Sequence, residues 1–205
     1  SGQVLSCPYS FARARIIVRE MTEALVLELV DKNLVTDHLT LTLGYDAENL
    51  TNPVISSRYR GEVTADRYGR RVPKHAHGTA DTGSRTSSLR KIMKAVLELY
   101  DRIAGRDLLI RRVTLTAEGV LDAGTAAAEA AEQAAAEQLD LFTDYGAREK
   151  RRKEEAAALE REKRLQQAMI QIRHKFGKNA VMTGTSFEDG ATGRERNNQI
   201  GGHKA

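Results

Sequence analysis

The run His38-Leu39-Thr40-Leu41-Thr42-Leu43-Gly44-Tyr45 alternates apolar and polar side chains residue by residue. Successive side chains of an extended strand point to opposite faces, so this run buries one face, leucines inward and threonines outward. A helix would scatter the same leucines around its circumference. On either side the period changes. Val18, Met21, Leu25 and Leu29 recur at three- and four-residue steps, with Arg15, Arg19, Glu23 and Asp31 set elsewhere, which predicts a helix over 11–30. Leu89, Ile92, Met93, Val96, Tyr100 and Ile103 form a second apolar stripe over 87–104. Thr86, Ser87 and Ser88 are candidate N-caps for that helix, and Gly105 is placed to end it.

Four further segments complete the pattern. Gln3 to Cys7 reads as a short first strand. Residues 46–61, rich in Asn, Pro, Ser and Arg, read as a loop. Val63 to Thr79 reads as irregular strand with a turn at Tyr68-Gly69. Leu109 to Ala117 alternates again, with Val113, Leu115 and Ala117 on one side and Arg112, Thr114 and Thr116 on the other. The order is β-α-β-β-α-β, an α+β domain over 1–122. Each helix has one apolar stripe and each strand one apolar face, so the economical packing is a four-stranded sheet with two helices on one face. The other face, lined by Thr, His and Arg, is left open as a binding surface or an oligomer interface.

After Leu121 the composition breaks. Residues 123–137 are almost entirely Ala, Glu and Gln and read as a linker, partly helical. Residues 147–176 are densely charged helix formers with few apolar positions, an exposed helix that buries little alone. A Gly-, Asn- and Thr-rich end follows from Gly177, so 145–205 is a charged helical tail. Net charge is +4, and it is segregated. Residues 1–122 hold 18 Lys/Arg against 15 Asp/Glu, 123–144 hold five acids and no Lys/Arg, and 145–205 hold 14 against 8. Two basic blocks flanking an acidic linker suit a phosphate-backbone partner, and an ordinary solvated surface accounts for charge alone equally well. No stretch reaches the ~18 apolar residues of a membrane span. The single cysteine, Cys7, and the absence of a basic-then-apolar leader point to a reducing, cytoplasmic setting.

Gln138-Leu139-Asp140-Leu141-Phe142 follows the low-complexity linker. One glutamine, two spaced leucines and an aromatic supply a hydrogen-bonding anchor and apolar anchors for a shallow pocket. The pentapeptide resembles the bacterial sliding-clamp-binding motif at each anchor position. That implies the clamp, the DNA polymerase III beta subunit, as partner. The bland alternative is an amphipathic turn packed back on the domain.

Other segments resemble the Y-family of translesion DNA polymerases. Ser1-Gly2-Gln3-Val4-Leu5, His77-Gly78 with Thr86-Ser87-Ser88, and Leu109-Ile110-Arg111-Arg112-Val113 resemble the little-finger domain of that family over residues 1 to about 121. Gly177-Lys178-Asn179-Ala180, Gly190-Ala191-Thr192, Arg194-Glu195-Arg196-Asn197 and Gln199-Ile200-Gly201-Gly202-His203 resemble the C-terminal end of a Gram-positive-type branch of UV-damage repair polymerases. The loop at 46–61 is longer than in the shortest members, and many lack the charged helix.

The resemblance implies a domain that lies along the major groove of primer–template DNA and grips phosphates with little base readout, as lesion bypass requires. The resemblance points to Arg111 and Arg112. By position in the chain, Lys74, His75, His77 and Thr79 line the third strand, Arg85, Thr86, Ser87 and Ser88 lie at a helix N-terminus whose free N–H groups suit a phosphate, and Thr114 lies on the last strand. Strand parity puts Arg112, Thr114 and Thr116 on the open face and turns Arg111 the other way, although at the strand start it can curl around the edge. Plain capping is an equal role for Thr86 to Ser88, and solvated charge the bland one for the arginine pair. His75-x-His77 offers two imidazoles on one face without Cys or paired acids, which is no zinc site. Residues 1–122 contain no acidic cluster for catalytic metal. No cofactor is expected here, and the resemblance implies Mg²⁺ in a palm domain upstream. A chain opening at Ser1-Gly2 reads as excised from a longer polymerase. The alternatives are a non-catalytic, clamp-associated DNA-binding accessory protein and a module that dimerises through the open sheet.

Overall fold

The computed structural model describes residues 1–136, 145–200 and 203–204. Strand β1 (Gly2–Tyr9) leads into helix α1 (Phe11–Asp31), whose N-cap Ser10 accepts from the Arg13 N–H. Asn33, at positive φ (53°), turns the chain into β2 (Leu34–Tyr45). The alternating run lies inside this strand: Leu39, Leu41 and Leu43 are fully buried, while Thr40 and Thr42 face outward.

The segment expected as a loop contains two short helices, α2 (Glu48–Thr51) and α3 (Pro53–Ser56). Buried Asn49 ties α2 to the body. Its carboxamide donates to the Asp46 and Leu109 carbonyls at 2.8 Å and accepts from the Leu109 N–H at 2.7 Å. A small hairpin follows, β3 (Val63–Ala65) paired with β4 (Arg71–Pro73), and then β5 (Ala76–Thr86). The third long strand thus starts later and runs further than the expected Val63–Thr79. Pairing with β2 decides its length: His77 lies opposite Thr42, Thr79 opposite Thr40, and Thr86 opposite Thr36.

Helix α4 (Leu89–Ile103) begins at N-cap Ser88 and buries Ile92, Val96, Leu99 and Tyr100. Leu99 takes a core place that the stripe reading had assigned to Met93, which is half-buried. At Gly78 α4 packs closely over β5: a Cβ there would sit 2.8 Å from Leu99 Cδ1, so the leucine tip would have to shift. Strand β6 (Ile110–Glu118) and the short β7 (Leu121–Asp122) complete the sheet. The antiparallel order is β1-β6-β2-β5, with β7 a short fifth strand on β2. Helices α1 and α4 cover one face, and Leu5, Ile17, Met21, Leu41, Ile92, Tyr100 and Leu115 meet between them and the sheet. Each such side chain contributes about 1.5–3 kcal/mol by leaving water.

Residues Ala123–Ala136 form α5, and Tyr145–Phe176 form the long α6. A 3-10 turn at Gly184–Phe187, α7 (Gly193–Asn197) and a two-residue ladder between β8 (Gln199–Ile200) and β9 (His203–Lys204) end the chain. The tail docks on α1 through polar groups. Buried Glu20 accepts from the Thr192 and Gly193 N–H groups at 2.8 and 2.9 Å, and Glu23 from the Thr183 and Thr185 hydroxyls. Arg19 pairs with Glu188 and His174 with Asp31. The polar side of α1 is therefore a docking surface for the tail.

Candidate nucleic-acid interface

The open face of the sheet is built by register. Gly2, Thr114, Thr42 and His77 stand side by side across β1, β6, β2 and β5. The next row along is Thr116, Thr40 and Thr79, and on the other side Val4, Arg112 and Gly44 line up. His77 accepts from or donates to the Thr42 hydroxyl across 2.9 Å, so the ring is held against the sheet. His77, Thr79 and Arg112 are exposed, and Thr114 is half-buried. The threonines offer hydroxyls and Arg112 a guanidinium, groups that bond phosphate oxygens without reading bases.

By parity Arg111 and Arg112 point to opposite faces, with Arg111 free to curl around the strand edge. Gly44 pairs with Arg112 and Tyr45 with Ile110, which leaves Arg111 as the extra residue of a β-bulge. A bulge re-aims the side chain it carries. Here it brings Arg111 to the same cleft as Arg112, with its guanidinium 3.8 Å from the Asp46 carboxylate. This cleft, about 440 Å³, lies between the sheet and the β3–β4 hairpin, and His75 also lines it. Lys74 sits beside it but its ammonium bonds Glu62 at 2.7 Å, which holds the lysine pKa above its ordinary value.

The other expected group lies at the far end of β5, a run of roughly 30 Å away at strand rise. Arg85 bonds Glu129 of α5 at 2.6 Å and stands 3.6 Å from Asp37. Thr86 is buried and its hydroxyl accepts from the Ser88 N–H; Ser87 is half-buried beside it. Ser88 caps α4, and its hydroxyl donates to Glu162 of α6 at 2.9 Å. Glu162 also accepts from the Arg90 N–H at 3.1 Å, so a carboxylate already fills this helix N-terminus. Lys91 adds an ion pair to Glu155 at 2.7 Å. The structure thus brings His75, His77, Thr79, Arg111, Arg112 and Thr114 together, and places Arg85, Thr86, Ser87 and Ser88 apart from them.

This far end of the open face is acidic. His38 bonds Asp37 at 2.8 Å and lies 3.2 Å from Asp81, and Thr40 donates to Glu118. The hydrogen bond to Asp37 raises the His38 pKa, and the same bond lowers that of Asp37. Among the described residues, no group of three or more His, Cys, Asp or Glu is arranged to hold a metal ion, and no helix is long and apolar enough to cross a membrane. Gln138, Leu139, Asp140, Leu141 and Phe142 lie outside the described residues.

The sequence reading missed the hairpin tip. Arg67-Tyr68-Gly69-Arg70-Arg71 is a basic run around an aromatic, and that composition was the available signal. It missed Glu162 as well, because nothing local marks one glutamate of a charged helix as a cap for another element. No protein-family model, curated protein or solved structure matches the chain.

Proposed function

We propose that this chain is the DNA-holding and clamp-recruiting C-terminal part of a Y-family translesion polymerase. In this reading residues 1–122 are a little-finger domain that lies on primer–template DNA, and 138–142 dock on the bacterial sliding clamp. Polymerisation, with its Mg²⁺, belongs to a palm domain that these residues do not include. One observation carries the reading: on the sheet face opposite α1 and α4, Arg112, His77, Thr79 and Thr114 stand in adjacent rows, and a bulge adds Arg111 beside Arg112. Such a surface takes the phosphate backbone of any sequence, which is what bypass of damaged bases demands. With α4's N-terminus already capped by Glu162, the reading rests on the sheet face and the Arg111–Arg112 pair rather than on that terminus.

Fluorescence anisotropy with duplex DNA across a salt series tests this. Affinity should fall steeply with salt and vary little with sequence. Arg112→Ala should weaken binding and flatten the log–log salt slope by about one. An unchanged slope and affinity would remove the sheet face from the interface. The purified chain should extend no primer with Mg²⁺ and all four nucleotides.

A further inference from the structure

Tyr68 stands at the tip of the β3–β4 hairpin with 71% of its surface exposed. Tyrosine rings more often bury their apolar faces. Two guanidiniums attend this one, Arg67 at 4.9 Å and Arg70 at 5.5 Å from the ring centroid. The tip is preorganised. Asp66 accepts from the Tyr68 and Arg70 N–H groups at 2.9 Å and from Arg70 Nε at 2.8 Å, while Gly69 takes the positive φ (77°) the turn needs. Partial desolvation pushes the Asp66 carboxyl up, but the hydrogen bonds from Arg70 and Tyr68 and the Arg70 charge together outweigh it and hold the group below its ordinary value.

Tyr68 and Arg67 form one wall of the cleft, and the opposite wall carries Val4, Arg111 and Arg112. Val4 is an apolar side chain 60% exposed on the open face. Among the described residues Arg67 and Arg112 make no ion pair, whereas Arg70 is paired to Asp66. The cleft therefore combines an exposed aromatic ring flanked by arginines, an apolar patch, and the guanidiniums of Arg67 and Arg112, which have no carboxylate partner among the described residues. Its volume of about 440 Å³ lies within the ~300–1,000 Å³ of small-ligand sites.

The geometry points to a binding site for one unpaired nucleotide, its base stacked on Tyr68 and its phosphate against Arg67 and Arg112. Aromatic stacking plus a basic rim is how sequence-tolerant single-strand sites work. Bases inside a duplex have both faces covered, so the occupant is a single-stranded extension of the DNA. The cleft is continuous with the sheet face through Thr42 and Gly44, which places that extension next to the duplex proposed above. The inference rests on that reading and adds a second, chemically distinct contact to it.

The test compares a blunt duplex with the same duplex carrying a short single-stranded overhang, bound to the full chain at fixed salt. The overhang should tighten binding about five- to tenfold, the lower part of the range for one stacked base. Tyr68→Ala should erase that advantage and leave blunt-duplex affinity unchanged. Tyr68→Phe, which keeps the ring, should retain it. Equal affinity for both duplexes, or an advantage that survives Tyr68→Ala, overturns the nucleotide site while leaving the DNA-holding role in place. Failure to bind either duplex overturns both.

Discussion

The Glu162 carboxylate accepts a hydrogen bond from the Ser88 hydroxyl at 2.9 Å, although 74 residues separate the two. Ser88 is 6% exposed and also caps its own helix through the Lys91 N–H. Ser88→Ala should therefore act on stability. Loss of an N-cap costs about 1 kcal/mol, a drop of a few degrees in Tm for a domain of this size. Duplex affinity should stay unchanged. A loss of DNA binding without a change in Tm would return Ser88 to the interface.

Clamp binding should depend on residues 138–142 and on nothing in the sheet. Truncating buried anchors of this kind costs about 2 kcal/mol or more, roughly thirtyfold in affinity. Leu141→Ala combined with Phe142→Ala should abolish measurable binding to a sliding clamp, with Tm and DNA affinity unchanged. A lower Tm with intact clamp affinity would mean that the two side chains pack on the domain instead.

Glu20 holds the tail. Its buried carboxylate accepts from the Thr192 and Gly193 N–H groups. Glu20→Ala would leave these donors without their partner, at about 1–3 kcal/mol. Trypsin should then cut faster at Arg194 and Arg196, which directly follow the released contact, while cleavage at Arg102 in α4 stays slow. Equal acceleration at all three sites would mean that Glu20 supports the whole core instead.

His38 gives a pH dependence with a definite sign. Its folded pKa lies above the ordinary 6.5, through the hydrogen bond to Asp37 and the nearby charges of Asp37, Asp81 and Glu118. The stabilisation is fully present below the unfolded pKa and is lost as pH rises through the raised folded value. Asp37 is lowered from 3.8, so its share is present above that value and lost as pH falls through the depressed one. The Tm difference between wild type and His38→Gln should be largest near pH 5–6, between those limits. It should shrink on the alkaline side. A difference independent of pH would mean that His38 contributes shape rather than charge.

Much of the fold was legible without tertiary information, because periodicity is local. Leu39, Leu41 and Leu43 go inward whatever they meet, since only one face of that strand is apolar, and the stripes of α1 and α4 face the core for the same reason. The identity of the open face followed from the same alternation. What parity could not supply was the bulge at Arg111. That depends on how β6 pairs with β2 around the turn that Asn49 pins, so two adjacent arginines came to one cleft only in the folded sheet. The end of β5 was likewise decided by its partner strand, and the fold of the hairpin over the sheet by contacts remote in sequence. The tail shows the limit most clearly. A charged helix has no apolar stripe to declare its docking face, so the pairing of Glu162 with Ser88 and of Glu20 with Gly193 exists only where tertiary structure brings those groups within hydrogen-bond distance.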